Sequence, residues 1–85
     1  MSEYQKLAGP TKVATHNNTG VEKCESKEFD EGIAHFNNAI ALDPTISVLY
    51  FNRAIAFNKI GFQHSALGDL SIVHALEPGL ELPQF

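Results

Sequence analysis

Two helix–turn–helix units stacked into one small all-α domain are what this chain of 85 residues predicts, and three observations carry that expectation. Residues 17–44, NNTGVEKCESKEFDEGIAHFNNAIALDP, align without a gap on residues 51–78, FNRAIAFNKIGFQHSALGDLSIVHALEP, at an offset of 34 positions. Apolar residues in each copy recur at helical spacing: Ile33, Phe36 and Ile40 in the first, Leu67, Leu70 and Leu76 in the second. Asp43-Pro44 and Glu77-Pro78 close the two copies, where a proline ring cannot continue a helical hydrogen-bond ladder.

The elements follow in order. Residues 1–12 read as a flexible tail, broken from the rest by Gly9-Pro10. Four antiparallel helices are expected at about 13–25, 30–42, 46–60 and 63–76, forming repeats at about 13–46 and 47–80 within a domain of residues 13–78. Gly61 suits a left-handed stop after Ile60, and Asp30 and Glu31 complement the positive end of the second helix. Gly20, Ala54, Gly32 and Ala66 occupy equivalent positions in the two copies and mark where paired helices approach closely. The first helix offers only Val13, Val21 and Cys24 as apolar surface beside His16, Thr19 and Lys23, so it is expected to be the least stable of the four. Residues 79–85 hold Gly79 and Pro83 and cannot extend a long helix. Leu80, Leu82 and Phe85 either fold back as a flap or begin a truncated further repeat.

Charge and composition exclude several partners. A net charge of −4, with six scattered basic residues, gives neither nucleic acid nor an anionic membrane surface a basic face to bind. Asn, Arg, His or Gly interrupts every apolar run before it reaches membrane-spanning length. Cys24 stands alone, so no internal disulfide forms, and MSEYQKLAGP lacks the apolar core of a secretion signal; the expectation is a thiol-reducing, cytoplasmic setting. Asn17-Asn18-Thr19 matches a glycosylation acceptor pattern, which that setting leaves unused.

Catalysis finds no support. His16, His35, His64 and His74 are not spaced as a metal pair on any one helix, so no metal or other cofactor is expected. Cys24 beside Lys23 lacks a base and reads as a small core residue; Asp30, Glu31 and Asp69 form no defensible acid–base pair. The chain reads as a non-enzyme.

LYFNRAIAF, residues 49–57, raises a different possibility. Leu49, Tyr50, Ala54 and Phe57 form an apolar stripe, yet Asn52 and Arg53 interrupt the run. With its period of 34 and its small and apolar positions, the chain resembles the tetratricopeptide repeat family, which implies a right-handed superhelical stack with the first helix of each repeat lining a concave groove. The resemblance implies a groove lined by Asn17, Val21, Cys24, Phe51, Asn52, Ile55, Asn58 and Lys59, open to a protein or peptide partner. Asn52 then faces the ligand or bridges helices, and Arg53 is expected along the rim with its guanidinium wet.

Two narrower resemblances compete. LYFNRAIAF is similar to a segment of co-chaperones that grip the carboxylate of a chaperone tail, but Asn17, Val21 and Leu82 stand where those clamps place Lys, Asn and Lys. GVEKCESKEFDEGIAHF and DPTISVLYFN are similar to repeats of the NADPH-oxidase activators, whose Rac-type GTPase contacts would lie beyond residue 85. A fragment of a longer array would act as scaffold and self-associate through exposed apolar ends such as Leu70, Leu76, Leu80 and Leu82.

Overall fold

The computed structural model describes residues 2–85. Four helices form, α1 (Lys12–Glu25), α2 (Phe29–Leu42), α3 (Ser47–Lys59) and α4 (Gln63–Leu76), and there is no strand among the described residues. Their limits lie within one residue of the punctuation read from the sequence. Helix α1 packs along α2, α3 along α4, and α2 against α3, so the molecule is two helix hairpins side by side.

The hairpin turns show why the copies stay in register. Lys27 and Gly61, equivalent across the repeat, are both left-handed, with φ of 63° and 86°. In the first turn the Glu28 N–H donates to the Lys23 carbonyl; in the second the Phe62 N–H donates to the Phe57 carbonyl, each at 2.8 Å. These bonds satisfy carbonyls that the ending helix leaves free. Only the first turn asks a residue with a Cβ to adopt that conformation.

Small residues set the spacing of α1 and α2. A Cβ on Gly20 would lie 2.6 Å from Phe36 Cε1 and 3.0 Å from the Gly32 carbonyl oxygen; one on Gly32 would strike the Cys24 Sγ. In the second hairpin Ala54 and Ala66 carry methyls at the equivalent places and are fully buried. The main core joins Val21, Cys24, Ile33, Phe36, Ile55 and Ala56. A second cluster joins Ala54, Ala66 and Leu70, with Leu82 of the final residues packed on it.

Two expectations about the apolar stripe are corrected. Leu67 is 56% exposed and Leu76 38%, whereas Leu70 is buried, because α4 packs along α3 and Leu82 lies over the cluster that holds Leu70. Arg53 is not wet. Its Nε and Nη2 donate to the two carboxylate oxygens of Asp69 at 2.8 and 2.7 Å, and Nη1 donates to Asn37 Oδ1 at 2.8 Å. Its guanidinium also lies 5.6 Å from the Tyr50 and Phe57 ring centres. The planar fork thereby ties α2, α3 and α4 together, and the nearly buried Asp69 holds the Arg53 charge more firmly than water would, partly offset by desolvation.

Candidate peptide-binding groove

Helix α1 has a side-chain cap: the Thr11 hydroxyl accepts from the Ala14 N–H at 3.1 Å. From that start Asn17, Val21 and Cys24 fall on one buried face, at i, i+4 and i+7. In α3, Asn52 and Ile55 are buried and Phe51, Asn58 and Lys59 flank them. The two first helices of the hairpins thus present these residues side by side.

The space between them is not empty. The chain's own segment before α1 lies across it, with Tyr4 buried against Val21, Cys24, Phe36 and Ile55, its ring 6.5 Å from that of Phe36. The polar contacts go to main chain. Asn52 Oδ1 accepts from the Gln5 N–H at 2.8 Å, while Asn52 Nδ2 donates to the Gln5 carbonyl at 2.8 Å. Asn17 Nδ2 donates to the same carbonyl at 2.9 Å, and Asn17 Oδ1 accepts from Asn52 Nδ2 at 2.7 Å. Two residues on, Asn18 Oδ1 accepts from the Leu7 N–H and Asn18 Nδ2 donates to the Leu7 carbonyl, both at 2.8 Å.

Asn52 and Asn18 each therefore do what a neighbouring β-strand residue would do, offering one acceptor and one donor to a single residue's main chain, while Asn17 adds a second donor to the Gln5 carbonyl. An amide is the side chain that carries both at this reach; a carboxylate has no donor. Asn17 and Asn52 are fully buried, so their unmet amide atoms would be costly if the groove held neither water nor ligand. Asn52 thus meets the chain's own Gln5 and also bridges α1 to α3 through Asn17, the helix-bridging role weighed from sequence.

Charges flank the segment at its edges. Lys59 Nζ lies 3.0 Å from Glu3, and Lys6 Nζ 3.4 Å from Glu22, in exposed pairs of modest strength. Burial pushes the Tyr4 hydroxyl well above its ordinary range and pushes the Cys24 thiol up to about 11. The Tyr4 hydroxyl itself is buried without a hydrogen-bond partner. Beside Glu3 a cleft of about 510 Å³ continues the groove past Cys24, Phe29 and Lys59.

All eight residues read as groove-lining from sequence lie on α1 and α3, and six have contacts that bear on the occupant: Asn17, Val21, Cys24, Asn52, Ile55 and Lys59. Phe51 packs on the main core; Asn58 is half-buried on α3 and its Nδ2 and Oδ1 make no bond to the segment. Sequence reasoning left out Asn18, although it is the repeat equivalent of Asn52, and that equivalence was the available signal. It also left out Tyr4, Gln5 and Leu7, which lie outside the repeat. The glycosylation acceptor Asn17 is fully buried.

Two further side chains meet across α1 and α2, where linear spacing could not pair them: the Nδ1 atoms of His16 and His35 are 3.2 Å apart, so one ring donates and the other accepts. Among the described residues no group of three or more His, Cys, Asp and Glu is arranged to hold a metal ion. No described helix is long and apolar enough to cross a membrane.

No family model and no solved structure matches the chain. Curated proteins do. A TPR repeat-containing thioredoxin of Arabidopsis thaliana is 30% identical over 77 residues, covering 80% of this chain and 20% of that protein. A tetratricopeptide repeat and J domain-containing co-chaperone of Fusarium oxysporum is 35% identical over 71 residues, covering 84% of this chain and 12% of its own length. The Hsp70-Hsp90 organizing protein of Triticum aestivum is 29% identical over 76 residues, covering 89% of this chain and 13% of its own. The chain thus spans a fifth or less of the length of these relatives. With the offset of 34 positions and two helix hairpins packed side by side, these likenesses place the chain in the tetratricopeptide repeat family.

Proposed function

We propose that this chain is a protein–protein interaction module that grips a partner peptide by its main chain in the groove between α1 and α3, without catalysing a reaction. One observation carries the reading: buried Asn17 and Asn52 converge on the N–H and carbonyl of a single non-helical residue, Gln5. Both groups of one residue face the same side in extended backbone, so the groove selects that conformation. Tyr4 supplies the apolar anchor in the pocket of Val21, Cys24, Phe36 and Ile55. In this reading the groove takes a segment of a protein partner, in keeping with relatives named as co-chaperones and as an Hsp70-Hsp90 organizing protein.

Recognition of a terminal carboxylate is the weaker form of the reading. Asn52 keeps its clamp position, but Asn17, Val21 and Leu82 replace the cations and amide that would hold such a group, and Lys59 is paired with Glu3. Selection from a displayed library of random peptides, followed by amide shift mapping of the chain with a selected binder, tests the proposal. Shifts centred on Asn17, Val21, Asn52 and Ile55, and affinity at least about tenfold weaker in Asn52→Ala, are expected. Binders that map elsewhere and tolerate Asn52→Ala would overturn it.

A further inference from the structure

We infer that the chain's own residues 3–7 are the groove's resting ligand, so that a partner binds by displacing them and must be an extended peptide with an acidic–aromatic–any–basic–aliphatic pattern. The inference rests on the peptide-binding reading above and adds the occupant, the ligand chemistry and the regulation.

Three features of the segment are those of a ligand rather than of a linker. Its main chain is read at alternate residues by equivalent asparagines of the two repeats, Asn52 at Gln5 and Asn18 at Leu7. Extended backbone turns the same edge outward every second residue, so one bidentate amide per repeat matches a two-residue step. The side chains divide between pocket and solvent. Tyr4 is buried in the apolar pocket, while the Gln5 and Lys6 side chains stay exposed and Lys6 meets Glu22. Glu3, on the other side of Tyr4, meets Lys59, so charges of opposite sign mark the two ends of the segment.

The occupant is also built to leave. Its flanking ion pairs are exposed and weak, and its anchor is imperfect because the Tyr4 hydroxyl is buried without a partner. The connection to α1 runs through Gly9 and Pro10, with Gly9 at φ 101°, and nothing approaches Gly9 within 4 Å of where a Cβ would stand. A partner offering Phe in place of Tyr at the anchor, and filling the cleft beside Cys24 and Phe29, would gain contacts that the tethered segment does not make.

The probe is a synthetic peptide of residues 2–8, SEYQKLA, titrated by amide shifts into the whole chain and into a whole-chain variant carrying Tyr4→Ala and Gln5→Pro. The second change removes the N–H that Asn52 receives. The variant should bind the peptide with shifts at Asn17, Asn18 and Asn52, at least about tenfold tighter than the unaltered chain, whose groove is open only a fraction of the time. Equal affinity for both proteins would overturn the inference, as would no binding to a variant of unchanged helicity. Should the variant lose helicity, hydrogen exchange in the unaltered chain decides. A library-selected binder at saturation should speed exchange of the Gln5 and Leu7 amides, and unchanged protection with the binder in place would overturn displacement. If a selected binder occupies the groove while SEYQKLA does not bind the variant, the resting-ligand inference fails alone; if no peptide maps to the groove of either protein, the peptide-binding reading fails with it.

Discussion

The two hairpins share a register yet are held together differently. In α1–α2 the contact is backbone on backbone, with Gly20 and Gly32 facing each other under Phe36 and Cys24. In α3–α4 buried Ala54 and Ala66 stand at the equivalent places, and Arg53 bound to Asp69 and Asn37 adds a polar tie that the first hairpin lacks at the matching Thr19 and His35. The positions equivalent to Tyr50 and Asp69 are His16 and His35, whose rings meet each other instead. The turns differ in the same sense, Lys27 standing where the second copy has Gly61. A repeat thus specifies where contacts are made, and each copy fills those places with its own chemistry.

Removing the polar tie should be the largest blow. Arg53→Leu leaves Asp69 charged and nearly buried, and is expected to cost about 3 kcal/mol or more in urea unfolding. Arg53→Leu with Asp69→Leu should recover much of that loss, and a double variant as unstable as the single one would mean that packing, not charge, holds α4.

Closing the glycine contact comes next. Gly32→Ala must displace the Cys24 sulfur or the Gly20 carbonyl, and an overpacked core costs about 1–3 kcal/mol, more than the roughly 1 kcal/mol gained in helix propensity. Gly68→Ala, on α4 with open space around it, should stabilise instead. Equal signs for the two substitutions would remove the distinction between tight and loose hairpins.

The turn should respond in the opposite direction. Lys27→Gly relieves a left-handed residue that carries a Cβ and should stabilise by about 1 kcal/mol, whereas Gly61→Lys should destabilise by a similar amount.

Alkali provides the most local probe. The folded Cys24 thiol is raised by burial, so below its unfolded value of 9.0 it is neutral in both states and folding is unaffected. As pH rises from 9.0 toward about 11 the unfolded chain ionises first, and stability should fall across that window. Cys24→Ala should flatten this fall in thermal melts, leaving the part due to Tyr4, whose hydroxyl burial also raises.

Much of the scaffold was legible in the chain itself. An offset of 34 positions, prolines after acidic residues and Gly61 gave four helices to within a residue, because helix limits obey local rules of capping and backbone freedom. That Asn17, Val21 and Cys24 share one face of α1 was legible for the same reason: which face a residue occupies follows from its place in the turn of a helix. Leu67 and Leu76 escaped, since helical spacing marks a stripe but not whether a neighbour covers it.

The groove's occupant belongs to tertiary structure alone. Gln5 meets Asn52 across 47 positions of sequence, and the segment that carries it has no period, no cap and no apolar stripe to announce it. Sequence determined the repeat, its helices and the amides that repeat with them, because those depend on spacing along the chain. That a non-helical segment ahead of α1 satisfies those amides was decided only when buried donors and acceptors had to find partners in three dimensions.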